Sequence, residues 1–478
     1  MNYVVTGRKP EKLFRYFEEL SQIPRGSGNE AGVADWLCAF ADAHELFCYR
    51  DTYNNVLIRK AASAGREKDP ALLLQGHTDM VCEKNAATEH DFMKDPLRLA
   101  VKDGWLYAEG TTLGGDDGVA VAAMLTILDD DTLSHPTLEC LFTVSEETGL
   151  VGAYNFDYGQ ITARTLINMD SEALGEITAG CAGGVRTDIS LPITHIGVEG
   201  ECLTVAITGL CGGHSGECIG LGRANAISLM GRLLSRLYGE YPFNLLSIEG
   251  GGKDNAIPRE CTAVLVTKKA AESAALLNRL AAEVTRELSE DDKNFTLTTD
   301  ITPCEPYQKA IGNFATRGAV AFLSNVTTGV MSMSHDIPGL VEFSRNLGVV
   351  KSEPKMLHFV LSTRSAIEAQ LDASTAMLDR FAALIGAETK HYSRYPGWSY
   401  AKFSPIRDRY AEVYRRVTGK DARITVIHAG LECGIIKSHI PDMDIISVGP
   451  NLEAIHSPDE KLDLASFETF FRTIVETL

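Results

Sequence analysis

Short apolar runs alternate with amphipathic stretches along the first part of the chain. Four runs rich in Val, Ile, Leu and Thr predict buried strands: NNVLIRK, ALLLQGHTDMV, LECLFTVSEE and TLINMD. DGVAVAAMLTILDD lies between two of these runs and predicts a helix. Residues 10–45 also show helical periodicity, broken by the loop IPRGSGNE, where Ser27 or Asn29 is expected to cap the next helix. The alternation indicates an α/β fold with a mostly parallel sheet flanked by helices.

The pattern changes after the segment MDSEALGEITAGCAGG. Four segments alternate apolar and polar positions as the strands of an exposed sheet do: ECLTVAITGL, AVLVTKK, NFTLTTDITP and HFVLSTRSA. AISLMGRLLSRLYGEY and SAALLNRLAAEVTRELSE predict amphipathic helices. From residue 395 the earlier strand–helix pattern returns in ITVIHAGLECGII, MDIISVGP and LASFETFFRTIVETL. The chain therefore contains two kinds of segment, and the first kind occurs at both ends.

The length and composition are those of a soluble globular protein with two domains. The 478 residues are 45% hydrophobic and 23% charged, with a formal net charge of −19. So acidic a chain is not expected to bind nucleic acid or an anionic membrane as its main partner. No stretch approaches the roughly 18 apolar residues of a membrane span. The charged N-terminus reads as an amphipathic helix and not as a signal peptide, so we expect a cytoplasmic protein.

The cysteines agree with a reducing compartment. There are 11, they are scattered, and no C-x-x-C pair occurs among them. We therefore expect reduced thiols. Cys82, Cys140 and Cys433 lie near the motifs described next, and we expect them to be buried as small apolar residues.

Five candidate metal ligands follow the predicted strands or lie in loops between elements. They are His77 in GHTDMV, Asp116 in GGDDG, Glu147 in SEETG, Asp170 in MDSE and His456 in IHSPDE. Taken singly, each has an ordinary explanation as a core histidine, a helix cap, an acidic turn or a loop residue. Two histidines and three carboxylates are too few for two closed tetrahedral sites unless one carboxylate is shared. A shared carboxylate leaves coordination open for water and substrate, an arrangement that suits hydrolysis.

Two further carboxylates lie beside the ligands. Asp79 follows His77 by two residues, so both side chains point to the same side of a strand and Asp79 can orient the imidazole. Glu146 and Glu147 are neighbours and point in different directions, so one can bind metal while the other acts as general base. The Gly-rich turn at Asp116 is not a phosphate loop, because it lacks G-K-[ST] and presents carboxylates.

The ligand candidates divide the chain. Four of them precede residue 182 and the fifth, His456, lies near the other end, so we predict that residues 1–182 and 395–478 form one catalytic domain. Residues 183–394 are then an inserted α+β domain. Its size exceeds that of a minimal lid.

Together the HTDMV, GGDDG, SEETG, MDSE and IHSPDE segments resemble the di-zinc aminoacylase/carboxypeptidase metallopeptidase superfamily. Within it the chain is similar, over essentially its whole length, to the bacterial aminoacyl-histidine dipeptidases. The resemblance implies that His77 and Asp170 bind one zinc ion, that Glu147 and His456 bind the other, and that Asp116 bridges them. It also implies that Asp79 orients His77, that Glu146 is the general base, and that the Asp116–Asp117 peptide bond is cis.

The inserted domain resembles the lid of that superfamily. His214 in GGHSG matches a residue that polarises the scissile carbonyl, and Asn255 and Arg364 match residues that bind the end of the substrate. HAGLECG, with His428, Glu432 and Gly434, resembles a turn near the substrate carboxylate, and Gly434 is the substrate-binding candidate there. The lid of relatives also carries dimer contacts. The resemblance therefore implies either a homodimer through the lid or, given its size, a pseudo-dimer within one chain.

The expected activity is hydrolysis of unblocked dipeptides of the Xaa-His type, including β-Ala-His. The expected cofactor is two Zn²⁺ per subunit, for which Co²⁺ or Mn²⁺ can substitute because both accept His and carboxylate ligands. Three alternatives remain: an aminotripeptidase or an N-acyl amino acid deacylase of the same superfamily, and a non-catalytic peptide-binding protein. A dinucleotide-dependent enzyme is excluded by the lack of a strand–GxGxxG–helix unit.

Overall fold

The computed structural model describes residues 3–478. In it the chain forms two compact units. Unit 1 comprises the residues up to Cys181, Trp398–Ile427 and Leu431–Leu478, and unit 2 comprises Ala182–Gly397 and His428–Gly430. The sequence predicts that His428–Gly430 belong to the catalytic domain. They group with unit 2 because His428 hydrogen-bonds Ser344 and Gly430 packs against the ring of Tyr395.

The elements are numbered in chain order. The helices are α1 (Glu11–Leu20), α2 (Ala31–Ala43), α3 (Gly115–Leu128), α4 (Val151–Asn155), α5 (Ala226–Glu240), α6 (Ala270–Val284), α7 (Asn313–Asn325), α8 (Glu368–Ile385), α9 (Pro405–Thr418), α10 (Glu432–His439) and α11 (Leu464–Thr477). The strands are β1 (Phe47–Arg50), β2 (Val56–Lys60), β3 (Leu72–His77), β4 (Leu99–Lys102), β5 (Trp105–Ala108), β6 (Leu138–Thr143), β7 (Thr165–Asn168), β8 (Glu176–Cys181), β9 (Gly183–Pro192), β10 (His195–Val198), β11 (Glu201–Thr208), β12 (Gly213–His214), β13 (Asn244–Gly250), β14 (Ala256–Ile257), β15 (Cys261–Thr267), β16 (Thr296–Pro303), β17 (Gln308–Ile311), β18 (Gly329–Met333), β19 (Val341–Ser352), β20 (Met356–Ser365), β21 (Glu388–Tyr395), β22 (Arg423–Ile427), β23 (Asp444–Ser447), β24 (Leu452–Glu453) and β25 (Lys461–Asp463).

Unit 1 is built on an eight-stranded sheet with the order β1-β2-β6-β3-β7-β23-β8-β22. The central strands β6, β3, β7 and β23 run parallel, while β1 and β2 form an antiparallel edge. β8 joins β23 antiparallel and β22 runs parallel to β8. The predicted α/β class with a central parallel sheet is therefore confirmed.

The parallel strands are buried because helices cover both faces of the sheet. Every residue of β3 and of β6 is buried, and successive residues serve opposite faces. Leu72 and Leu74 pack into one core cluster and Leu73 into the other. α3 lies against β3, and its sequence is apolar on all sides, as expected for a helix inside the core.

Unit 2 is an α+β unit with a hydrophobic core of its own. Its main sheet has nine strands, ordered β16-β11-β15-β13-β19-β20-β9-β21 with β18 beside β19, and every pair in it is antiparallel. Helices α5, α6, α7 and α8 contribute buried leucine, alanine and phenylalanine side chains to the core against this sheet. The alternating pattern along β9 and β11 reflects one buried and one more open sheet face.

Two expectations about the cysteines are corrected. Cys202 and Cys304 form a disulfide, because β11 and β16 pair with Cys202 opposite Thr302 and bring Cys304 within reach. The expectation that all 11 cysteines are reduced is therefore wrong. Cys82 is exposed, whereas Cys140 and Cys433 are buried as expected.

The predicted cap of α2 is also wrong. The N-cap residue is Glu30, which makes no side-chain cap hydrogen bond, and the Ser27 hydroxyl donates instead to Asp79. Ser27 therefore serves the site described below. Within residues 3–478, no helix combines the length and the apolar composition needed to cross a membrane.

Candidate metal centre

The candidate ligands of unit 1 gather where parallel strands end. β3 ends at His77, Asp170 follows β7 by two residues, and Glu147 follows β6 by four. Because neighbouring parallel strands end at the same edge of a sheet, these side chains converge there. Asp116, at the start of α3, and His456, in the loop after β24, complete the group.

Asp116 lies between the two histidines. Its Oδ1 is 3.0 Å from Nε2 of His77, and its Oδ2 is 3.2 Å from Nε2 of His456. Nε2 of His456 is also 3.0 Å from Oε1 of Glu147, and Nε2 of His77 is 3.8 Å from Oδ1 of Asp170. One carboxylate therefore faces two separate sets of donor atoms, one oxygen to each.

Of three groups of donors that could hold a metal ion, two share Asp116. His77, Asp116 and Asp170 form one group, and Asp116, Glu147 and His456 form the other, with the ligand atoms of each within 4.8 Å of one another. Imidazole and carboxylate donors are those that zinc and other first-row divalent ions accept. The residues present therefore fit a dinuclear site in which Asp116 would be the bridge. The Asp116–Asp117 peptide bond is cis, as expected.

The electrostatics of these groups are those of a crowded anionic site. Burial would raise the pKa of Asp116, but hydrogen bonds from His456 and His77 outweigh it and lower that pKa. Burial lowers the pKa of His77, yet the carboxylates of Asp116 and Asp79 raise it well above its usual value. For Asp170, burial and the neighbouring Asp117 raise the pKa strongly. Cations bound here would compensate carboxylates that the protein itself leaves poorly neutralised.

Asp79 connects His77 to the loop that carries the two glutamates. Its Oδ1 lies 3.3 Å from Nδ1 of His77, an ion-pair contact. The same carboxylate accepts hydrogen bonds from the backbone N–H of Glu146 at 3.0 Å and of Glu147 at 3.3 Å. The Ser27 hydroxyl donates to it at 2.7 Å. Asp79 therefore fixes both the first ligand and the glutamate loop.

Glu146 lies beside the donor groups without belonging to the two that share Asp116. One of its oxygens falls within 4.8 Å of donor atoms on His77 and Glu147. Burial, together with the charges of Glu432, Glu147 and Asp116, raises the pKa of Glu146 to about 8. A carboxylate at such a position is suited to accept and return a proton at neutral pH.

Three buried charged residues support the site and were not predicted. Glu460 accepts the backbone N–H groups of Leu113, Gly114 and Gly115 at 2.7, 3.0 and 2.8 Å, and so holds the turn before Asp116. Arg25 donates from Nη1 to the carbonyls of Thr78 and Asp79 at 2.9 and 3.0 Å, and from Nη2 to that of Gly114.

The third is Glu30. Its Oε1 accepts hydrogen bonds from the backbone N–H and the hydroxyl of Ser145, at 3.0 and 2.7 Å. Ser145 has a left-handed backbone (φ 51°) at the start of the glutamate loop. The sequence signal for these residues was weak, because each acts on backbone atoms that are remote along the chain.

Three residues singled out in the sequence, His214, Arg364 and His428, form a cluster on unit 2. Arg364 Nη1 donates to the Tyr395 hydroxyl at 3.0 Å. Burial and the charge of Arg364 lower the pKa of His214 and lower that of His428 to about 4. His428 Nε2 is 2.6 Å from the Ser344 hydroxyl. The cluster therefore combines one cation with two neutral imidazoles.

Asn255 and Gly434 occupy different settings. Asn255 precedes β14, which pairs with β12 so that His214 lies opposite Ala256. Asn255 and His214 are thus close neighbours on unit 2. Gly434 is buried in α10 of unit 1, where its N–H donates to the carbonyl of Leu431. Its assignment to substrate binding stays a prediction.

Comparisons with known proteins identify the family of this chain. The model of peptidase family M20/M25/M40 matches residues 73–478. The cytosol non-specific dipeptidase of Escherichia coli is 36% identical over 98% of this chain and 97% of its own. The structure of the aminoacylhistidine dipeptidase from Vibrio alginolyticus superimposes with a TM-score of 0.93 at 33% identity, covering 98% of this chain and 96% of the other.

A more distant structure shares the fold alone. The aminopeptidase PepT from Bacillus cereus has a TM-score of 0.57 at 16% identity, covering 98% of this chain and 97% of the other. The family match covers the ligand-bearing segments from His77 to His456. The chain therefore belongs to peptidase family M20/M25/M40, a family of metal-dependent enzymes that hydrolyse peptide bonds.

Proposed function

We propose that this protein is a cytoplasmic dinuclear zinc dipeptidase that hydrolyses unblocked dipeptides and prefers the Xaa-His type. The observation that carries the proposal is the position of Asp116, whose two oxygens face His77 and His456 as a bridging ligand would. His77 and Asp170 would hold one ion, and Glu147 and His456 the other. The names of the E. coli and V. alginolyticus relatives, which refer to dipeptides and to aminoacylhistidine, support this substrate class.

Glu146 carries the proton chemistry in this proposal. Bound divalent cations lower the pKa of water and polarise a peptide carbonyl. Glu146 accepts a proton from the attacking water and returns it to the leaving amine, a role that its place beside the donor groups allows. Asp79 keeps His77 oriented and keeps the Glu146 backbone in place through the contacts described above.

Unit 2 supplies substrate recognition in the proposal. Arg364 would pair with a substrate carboxylate, because a guanidinium binds carboxylates through paired hydrogen bonds. His214 would donate to the carbonyl oxygen that becomes negative, and Asn255 would bind a polar end group. The homodimer through unit 2, or the pseudo-dimer within it, stays a prediction.

The test is hydrolysis of four substrates by metal-stripped protein, with and without added Zn²⁺. The substrates are Ala-His, β-Ala-His, Ala-Ala-His and N-acetyl-His. We expect metal-dependent cleavage of the two dipeptides only. Repeating the assay with Co²⁺ and Mn²⁺ at equal occupancy establishes which ions support turnover.

Other outcomes select the alternatives. Cleavage of Ala-Ala-His would indicate an aminotripeptidase, and cleavage of N-acetyl-His would indicate a deacylase. If two ions bind per chain and none of the four substrates is cleaved, the dipeptidase proposal is wrong and a peptide-binding role replaces it.

A further inference from the structure

A buried polar network adjoins the candidate metal centre in unit 1. It consists of Glu432, Gln75, Thr143 and Asn168, all with no solvent exposure. Oε2 of Glu432 accepts hydrogen bonds from Nε2 of Gln75 and from the hydroxyl of Thr143, both at 2.6 Å. Asn168 Nδ2 donates to Oε1 of Gln75 at 2.8 Å, and Gln75 Nε2 also donates to Thr143 at 3.1 Å.

Two members of the network lie two residues before a candidate ligand. Gln75 precedes His77 by two residues on β3, and Asn168 precedes Asp170 by two at the end of β7. Thr143 ends β6 and lies opposite His77 in the β3–β6 pairing. The network therefore joins three adjacent strand ends, and each of these carries part of the site.

Glu432 is the only member that does not belong to this sheet. It opens α10, and its carboxyl reaches the strands from the helix. No Lys, Arg or His donates to it among residues 3–478, and its Oε1 has no hydrogen-bond partner there. Burial raises the pKa of Glu432 to about 7. Burying an apolar side chain at this position would cost less free energy than burying a glutamate. What the glutamate adds is an acceptor, Oε2, for two hydrogen bonds.

We propose that Glu432 is a positioning residue for the metal centre: as a hydrogen-bond acceptor it holds the ends of β3 and β6, and through Gln75 the end of β7, at the spacing that the ligands require. The inference rests on the proposed function of the site, which it extends to a residue outside the two ligand groups that share Asp116. Side chains that orient metal ligands from outside the coordination shell commonly change metal affinity or activity about 10–100-fold when removed.

The test compares two substitutions at Glu432 with the same two at a matched position. Glu432→Gln keeps an acceptor oxygen without a charge, whereas Glu432→Ala removes the acceptor. Glu139 is the control, because it is another fully buried glutamate, near the opposite end of β6, that accepts from Thr162 and Ala163. The readouts are Zn²⁺ affinity, by competition with a chromophoric chelator, and kcat and KM for Ala-His.

We expect Glu432→Ala to bind Zn²⁺ about 10-fold more weakly and to lower kcat with KM little changed. Glu432→Gln should stay close to wild type in both readouts, and the two Glu139 variants should change neither. Unaltered Zn²⁺ affinity in Glu432→Ala would overturn the proposal. So would an equal loss in Glu432→Gln, because the charge and not the acceptor would then be required.

Two provisions keep the test decisive. If Glu432→Ala does not fold, Thr143→Val removes one of the two donors to Glu432, and a loss of Zn²⁺ affinity there supports the proposal while unchanged affinity overturns it. If the wild type cleaves no dipeptide, the proposed function has failed, but the Zn²⁺ affinities still test the role of Glu432.

Discussion

At the scale of single residues, the carboxylates of the candidate metal centre differ in what surrounds them. Asp116 faces two imidazoles and Glu147 faces that of His456, whereas Glu146 is deeply buried near His77, Glu432 and Glu147. Glu146 and Glu147 therefore lie in different electrostatic environments although they are adjacent in sequence. Their roles can be separated by removing one charge at a time.

We expect Glu146→Gln to lower kcat about 10²–10⁴-fold while retaining both metal ions, because it removes the proton acceptor and leaves the ligands in place. Glu147→Gln, the matched control, should instead lose metal, since it weakens a ligand. Metal content by atomic absorption and kcat for Ala-His distinguish the two. A Glu146→Gln protein with wild-type kcat would contradict the assignment of the base.

His428 gives a prediction for pH on unit 2. Burial and Arg364 lower its pKa to about 4 in the folded chain, whereas an unfolded histidine titrates near 6.5. Between these pH values the unfolded chain binds a proton here that the folded chain does not, so this group reduces stability as the pH falls from about 6.5 to about 4. Above about 6.5 it contributes no pH dependence.

The comparison is between wild type and His428→Gln. We expect the stability of the wild type relative to the variant to fall by about 1–3 kcal/mol between about pH 6.5 and about pH 4, and to be constant above that window. Thermal unfolding of both proteins across this range measures the difference. A difference that does not vary with pH would show that His428 titrates normally in the folded chain.

At the scale of elements, the site depends on how a turn is held at the start of α3. Glu460 accepts three successive backbone N–H groups from Leu113 to Gly115, and at 3.4 Å the N–H of Asp116 as well. The same residue lies four positions after His456. It therefore links the segments that carry the bridging ligand and the last ligand.

Glu460→Ala should weaken Zn²⁺ binding about 10-fold or more and lower thermal stability, because it leaves buried N–H groups without an acceptor. Glu453→Ala is the matched control, since Glu453 is exposed, precedes His456 by three residues and pairs with Lys461. It should change neither property. Equal Zn²⁺ affinity in the two variants would show that the turn before Asp116 holds without Glu460.

The same elements show what the sequence could predict. β3, β6, β7 and α3 were predictable because burial on both sheet faces leaves an uninterrupted apolar run, and the ligands were predictable because they follow such runs. Glu460 was not, since nothing near it in sequence distinguishes it from the exposed Asp459. Cys202 and Cys304 also escaped prediction, because only the pairing of β11 with β16 brings them together.

At the scale of the whole molecule, the two units have separate cores and all seven residues predicted to bind metal or to assist there lie in unit 1. A metal ion that binds the folded site stabilises the folded state by mass action. The effect is expected in unit 1 and not in unit 2. The three tryptophans, Trp36, Trp105 and Trp398, all lie in unit 1 and report on it selectively.

We expect a chelator to lower the unfolding midpoint followed by tryptophan fluorescence, with a loss of about 3–4 kcal/mol for ions that had been saturating. The circular dichroism signal should retain a component from unit 2 that the chelator does not move. Re-addition of Zn²⁺ should restore the fluorescence midpoint. A fluorescence midpoint that is indifferent to chelator would argue against a metal site in unit 1.

The strand order of the unit 1 sheet has a consequence for synthesis. A ribosome delivers β1–β8 first and then all of unit 2, and only afterwards β23, which lies between β7 and β8. His77, Asp116 and Asp170 emerge early, whereas the group that needs His456 stays incomplete until unit 2 has been made. Since domains generally fold as units, unit 1 is expected to assemble only after β23 and Glu460 have been made. Both metal positions therefore become available late in synthesis, after unit 2 has been translated.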